Sequence, residues 1–413
     1  MGTSEPHPPG ARPATPPGGA AAELRDALTP RAVLLVLAVL ALHLAFVLSY
    51  AGAFHAPTPQ RVPVAVVAPP GQADQLAEQL DDLPGQPLRA HVVDDEAAAV
   101  ARLERREVDA AIVANPDSDT DTVLVASAAG ASVGEAVRGV LTPVQQERGR
   151  QLQTRDVVPA ASGDARGLTP FYLVIGWMLG GYLASAIMGL AGGEHRARPA
   201  RVGVRLAVLA GYAVLSGLGG ALIVGPVLDA LPSGNVLVLW WVGALVAFAS
   251  GATTMALQVL FGVVGVGVAI LAFVVLGNPS AGGAYDASLL PPFWRAVGPW
   301  LPPGAGTTLV RDTAYFGDAP IAGPVGVLSG YAVLGVAVAL IAAALLSRRP
   351  GGRGQRRRGS APPGTPGDRR CSGHRGAPHF RCEPGTSRNV TPNRFHALIV
   401  AIAVTNAVSC SSS

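Results

Sequence analysis

The sequence predicts a polytopic α-helical membrane protein: six transmembrane helices, with an extracytoplasmic α/β domain inserted between helices 1 and 2. Three observations lead there. Only 14% of the 413 residues are charged, against about 25% in soluble proteins. Apolar runs of about 20 residues, the length that crosses a bilayer, recur along the chain. The one long hydrophilic stretch, residues 55–168, alternates strand and helix patterns as a small α/β domain does.

The first apolar run is 32–54, interrupted by a single titratable group, His43. Pro30 suits the first position of a helix, where its missing amide would be unpaired anyway. A cleaved signal peptide is the competing reading, since Ala51-Gly52-Ala53 fits a small-x-small cleavage site. The run exceeds the usual apolar core of such peptides and follows a long leader, which favours an uncleaved anchor. The leader, residues 1–31, is rich in Pro, Gly and Ala and is expected to be disordered. Five further spans fall within 169–346. They are Phe171–Ala191, Val202–Leu228, two within Val236–Leu276 and a last one over Pro324–Leu346. The small polar cluster Ser250–Thr254 is the expected turn inside the long run.

Arginines set the orientation, because they concentrate on the cytoplasmic side. Arg196, Arg198, Arg201 and Arg205 follow the second span, and Arg348, Arg349, Arg353 and Arg356–Arg358 follow the last. With both termini inside, six spans put both clusters inside. The loops Asp229–Asn235 and Gly277–Gly323 then face outward.

The insert 55–168 carries 17 acids and 10 arginines. Strands are expected at Val62–Ala68, Leu88–Val93, Val108–Val113 and Thr122–Ser127. Helices are expected at Gln72–Leu83, Glu96–Glu107 and Gly134–Gln153, the last leading back to the membrane. The segment is long enough to bury one core. It shows no catalytic constellation: His91 is its one histidine besides His55, and it has no cysteine. The alternating Asp117, Asp119 and Asp121 lack the glycine and glutamate of a calcium loop, so a solvated acidic turn is the better reading.

All 31 basic residues are arginine. The missing lysine excludes a P-loop or kinase-type phosphate site and Schiff-base chemistry. No enzymatic role, cofactor or metal is expected. Proton-driven transporters hold acids or histidines within the membrane; here the spans offer His43 alone, and an interfacial or packed side chain is its simpler reading. Gln258 is explained by packing against a neighbouring helix. Gly176 and Gly180 form a small-xxx-small pair, which allows homo- or hetero-oligomers as well as packing within the bundle.

The outer interfacial loop 277–323 mixes prolines with aromatics. Two short helices are expected in it, Pro291–Trp300 and Gly306–Phe316, dipping into the outer interface, where Trp and Tyr are favoured. Its candidate site residues are Phe293, Trp294, Arg295, Trp300, Arg311 and Asp312. Arg295 and Arg311 would lie at headgroup depth, with Asp312 a partner of either. The loop would line the mouth of a substrate path or seal the top of the bundle. The tail, 347–413, holds 12 arginines, two acids and all three cysteines. Cys371, His374, His379 and Cys382 are zinc-type ligands in no standard spacing, and an unstructured segment is the preferred reading, its abrupt gain of Cys, His and Asn being compatible with a shifted reading frame. No nucleic-acid partner is expected.

Several segments resemble one family. Arg61-Val-Pro-Val-Ala-Val-Val67, Ala101-Arg-Leu-Glu-Arg-Arg-Glu-Val-Asp-Ala-Ala-Ile-Val113 and Thr122-Val-Leu-Val-Ala-Ser127 resemble the extracytoplasmic domain of ABC-2 type permeases, of the YhgE/Pip-like (DUF3533) subgroup. Gly277-Asn-Pro-Ser-Ala-Gly-Gly283, Leu289-Leu-Pro-Pro-Phe-Trp294 and Trp300-Leu-Pro-Pro303 resemble it too. The resemblance covers residues 32–346. It implies a multi-pass permease of the bacterial cell membrane that exports an amphipathic or lipid-like compound, with membrane lipids and a separate ATPase subunit as partners. It also implies a cytoplasmic coupling loop at Glu194, Arg196, Arg198, Arg201 and Arg205; the plainer role of these arginines is topology and anionic headgroups. A non-transporting envelope scaffold or surface receptor is the alternative, and a proton-driven exporter relying on His43 is a third.

Overall fold

The computed structural model describes residues 29–191, 198–232 and 236–348. The expectations for the leader up to residue 28, for Glu194 and Arg196, and for the tail from residue 349, its Cys/His set included, lie outside the described residues.

Most of the described chain is helical. Five helices among the described residues are long and apolar enough to cross a membrane: Ala32–Phe54, Thr169–Ala191, Pro199–Val227, Val236–Phe261 and Ala322–Arg348. The first belongs to α1 (Pro30–Phe54), where Thr29 caps the N-terminus by accepting from the amide of Ala32 at 3.2 Å and Pro30 occupies the first turn. Only 6% of its most apolar stretch is buried, against 50% for Val236–Phe261. Leu34, Leu40, Leu44 and Leu48 are exposed, as a lipid-facing helix requires.

Five strands and three α-helices follow before the next apolar helix. They are β1 (Val62–Val67), α2 (Ala73–Asp81), β2 (Leu88–Val92), α3 (Glu96–Glu104), β3 (Ala110–Val113), β4 (Thr120–Val125), α4 (Ala131–Glu147) and β5 (Gln151–Asp156). The sheet order is β2-β1-β3-β4-β5, with β3 and β4 antiparallel and the other pairs parallel. Side chains alternate across it. Val62, Val64, Val66 and Ile112 pack with Leu76, Leu80, Val137 and Leu141 on one face. Ala65, Ala111 and Leu124 pack with Ala99 and Leu103 on the other.

Two readings change here. The helix expected to run to Gln153 stops at Glu147, and β5 takes its place at the sheet edge. Arg150 explains the stop: its guanidinium bonds both oxygens of Asp121 and the carbonyls of Asn115 and Ser118, turning the chain back along β4. Asp121 is correspondingly fully buried, not part of a solvated turn. Strand β5 is polar and largely exposed, so no apolar alternation announced it.

The bundle is α5 (Thr169–Ala191), α6 (Pro199–Leu222, continued by a π-helical turn through Val227), α7 (Val236–Phe261), α8 (Val263–Ile270, continued by a π-helical turn through Gly277) and α11 (Ala322–Arg348). The expected turn at Ser250–Thr254 is absent, and α7 runs straight through it. Those small residues are a packing surface. A Cβ on Gly181 of α5 would lie 2.1 Å from the Ala247 carbonyl oxygen. Ser250 Oγ donates to the Met178 and Ala247 carbonyls at 3.2 and 3.1 Å, and Thr254 Oγ1 donates to the Ser250 carbonyl at 2.8 Å. The break falls at Gly262, whose φ of +61° suits glycine. Gln258, one turn earlier, donates to the Ala186 carbonyl at 3.4 Å, the packing contact expected of it.

Two short helices, α9 (Pro292–Val297) and α10 (Pro302–Tyr315), separate α8 from α11. At one end of the bundle Val202, Leu206, Met255, Ala339 and Ala343 form a core with Met188 and Val259. Helix α8 starts at that end, just past Val259, and finishes where Gly277 meets Pro303 of α10.

Candidate functional site

Helix α10 joins the bundle to the α/β domain. Its apolar residues Ala305, Leu309, Val310 and Ala314 lie in the bundle core with Val174, Val246 and Phe273. Its polar residues turn toward the domain and its connector. Asp312 is 3% exposed, and its Oδ1 is 3.4 Å from Arg106 Nη1, on the loop between α3 and β3. The Arg106 guanidinium also lies 5.2 Å above the centre of the Phe316 ring, a cation–π distance.

Arg311, 2% exposed, donates from Nη2 to the carbonyls of Gly282 and Gly167 at 3.2 and 3.4 Å. Burial, reinforced by Arg106, holds its pKa down at about 10. Tyr315 OH accepts from the Ala161 amide at 3.2 Å and donates to Asp164 Oδ2 at 3.4 Å. Burial, opposed by that amide, leaves the phenol pushed up to about 12. Asp164 Oδ1 in turn accepts from the amides of Leu168 and Thr169 at 2.8 and 2.9 Å, fixing the entry into α5. Burial raises the Asp312 carboxyl, opposed by Arg106 and Arg311.

A second seam lies beside this one. Leu289, 3% exposed, sits in the α/β core with Val62, Ala110 and Val133. The Asp286 amide donates to Ser132 Oγ at 3.2 Å, and Gln60 donates its amide to the Ser288 carbonyl at 3.1 Å. Asp109, at the foot of β3, is pushed up to about 7 by burial and by the charge of Asp286, against the pull of Arg106.

The outer-loop residues therefore divide. Trp294 Nε1 donates to Ser49 Oγ at 3.3 Å, and Arg295 donates to the backbone and side-chain oxygens of Gln60, both at 3.0 Å. These two hold the end of α1 and its linker. Phe293 and Trp300 stay 54% and 71% exposed, the disposition of interfacial anchors. Arg311 is buried within the protein, and Asp312 forms an ion pair with neither Arg295 nor Arg311 among the described residues. The Gly167 and Gly282 carbonyls accept from Arg311 Nη2, and Arg106 is the ion-pair partner of Asp312. Of the coupling candidates, Arg198 and Arg201 are exposed and Arg205 half-buried at the start of α6, at the bundle end opposite α10. His43 is exposed on α1.

Arg106, Asp109, Asp164, Asp286 and Leu289 escaped sequence reasoning. Each is a solitary residue in a loop or at an element's edge, without periodicity; the Arg105-Arg106 pair just before β3 was the nearest thing to a signal. A cleft of about 450 Å³ opens where the start of α5 meets the end of α6, lined by Thr169, Tyr172, Leu173, Val224 and Leu228. Among the described residues no three His, Cys, Asp or Glu side chains converge as a metal would need. The arrangement joins the α/β domain to the bundle through buried charges, among which Arg106 Nη1, Asp312 Oδ1 and Arg311 Nε have no hydrogen-bond partner. The chain matches no protein-family model, no curated protein and no solved structure.

Proposed function

We propose that this chain is the membrane permease subunit of an ABC-2-like exporter, moving an amphipathic or lipid-like substrate outward while a separate subunit hydrolyses ATP. One observation carries the reading: an α/β domain stands between a nearly solitary apolar helix and a helix bundle, and a buried helix, α10, ties it to the bundle core. A passive anchor needs no such joint.

Six crossings fit the same facts. Arg198, Arg201 and Arg205 share one bundle end with the core around Met255, and α8 leads from that end to α10. A 15-residue helix reaches about 22 Å, short of a hydrocarbon core of about 30 Å. The buried helix α10 covers the end of α8 at Gly277, and irregular backbone is tolerated where protein buries it. The arginine end is then cytoplasmic, and the acidic domain is outside. The apolar cleft between α5 and α6 suits an acyl or aromatic moiety. With no lysine in the chain, ATP chemistry is borrowed.

Export is tested by cell-associated levels of a panel of amphipathic dyes and lipid-like compounds, in cells with and without the gene. Retention should rise on deletion and fall on complementation, including with His43→Ala. Unchanged levels across the panel favour the non-transporting scaffold or receptor; collapse with His43→Ala points to proton coupling.

A further inference from the structure

We propose that Arg106 is a releasable latch through which α10 transmits the state of the helix bundle to the α/β domain. The inference stands on the joint itself and does not require that the protein be an exporter. Helix α10 carries two kinds of contact at once. Leu309 and Val310 are fully buried in the bundle core, so any repacking of α5, α7 or α11 displaces the helix as a unit, because packed cores shift between discrete arrangements. Asp312, two and three residues further along, meets Arg106.

The contact is made in a way that favours release. Arg106 Nη1, Asp312 Oδ1 and Arg311 Nε are all buried without a protein partner of hydrogen-bonding geometry. The pair at 3.4 Å thus has Coulomb attraction without the short directional bond that makes buried pairs strong. Arg311 lies close enough to Arg106 for the two like charges to oppose each other. Parting Arg106 from Asp312 relieves the opposition between the two guanidinium groups and opens Arg106 Nη1 and Asp312 Oδ1 to other partners.

The neighbouring contacts would survive that parting. Tyr315 holds Asp164 and Ala161, and Arg311 holds Gly167, all on the connector between β5 and α5. Release therefore swings the α3–β3 side of the domain while the connector stays on α10. Coupling of this kind is reciprocal: a load on the domain would bias the bundle equally.

The test is a pair of spin labels at Glu104→Cys and Asp318→Cys, both exposed positions, in the full chain with Cys371, Cys382 and Cys410 replaced by Ser and reconstituted in phosphatidylcholine vesicles. The parent should give one narrow distance. Arg106→Gln should add a second, longer distance, whereas Arg106→Lys, which keeps the charge, and Arg102→Gln, on the preceding helix α3, should not. Val310→Ala, remote from the ion pair, should populate that same longer distance. Three results overturn the proposal: a distribution unchanged by Arg106→Gln, one broadened equally by Arg102→Gln, or one that answers to Arg106→Gln and ignores Val310→Ala. The last would make Arg106 a staple and not a latch.

Discussion

The amide of Asp286 donates to Ser132 Oγ at 3.2 Å across 154 positions of sequence, so the loop before the last long helix is bonded to helix α4 of the α/β domain. Leu289, three residues on, is part of that domain's core. The domain is therefore discontinuous in sequence, and its stability depends on a segment beyond four of the long helices.

Leu289→Ala should show this. A buried Leu→Ala change costs about 2–5 kcal/mol, borne here by the domain and not by the bundle around α7. Limited proteolysis of the full chain should cut within 55–168 faster, while the fragments of 169–348 keep their resistance. Equal protection in both regions would place Leu289 outside the core.

Protonation at the seam gives a pH signature. The native Asp109 carboxyl is pushed up to about 7, above the value of about 3.9 for an unfolded aspartate. Between these values the folded protein holds a proton the unfolded chain has released, so stability falls as pH rises through the window. Above it both forms are ionised and the dependence stops. Asp286 and Arg106 are the charges facing Asp109, and the raised Asp312 acts in the same sense. Thermal unfolding from pH 4.5 to 7.5 should show higher midpoints at the acid end, and Asp109→Asn should flatten the slope.

Arg150→Ala should unseat β5. It leaves Asp121, fully buried, without its counter-ion, and breaking such a pair costs about 3–5 kcal/mol. Amides of β5 should exchange faster with deuterium, with α2 and β2 little changed.

Much of this architecture was legible in the residues because it rests on periodicity. The apolar runs gave the long helices, and the β-branched run Val62–Val67 gave the central strand. What escaped rests on single polar residues acting at a distance. Ser250 and Thr254 resembled a turn because a hydroxyl bonded to its own helix leaves no trace in composition. Strand β5 hid because its exposed polar face lacks alternation, and Arg150 ends the preceding helix through a carboxylate 29 positions earlier. At the joint, Arg311 and Asp312 were marked from sequence. Their partners, Arg106 and the Gly167 and Gly282 carbonyls, could not be read, since nothing local ties a loop to a helix two hundred residues away.

Gly181→Ala should loosen the bundle at its tightest crossing. The added methyl would strike the Ala247 carbonyl oxygen, forcing α5 and α7 apart at a cost of about 1–3 kcal/mol. The expected readout is a lower unfolding midpoint in detergent.

Affinity purification of the full chain from native membranes, with the recovered complex assayed for ATP hydrolysis, tests the central claim most directly. The account predicts a stoichiometric lysine-bearing P-loop subunit and ATPase activity that diminishes when Arg201 and Arg205 are both replaced by Ala. Recovery of the chain from gently solubilised membranes with no nucleotide-binding subunit and no ATPase activity would contradict it.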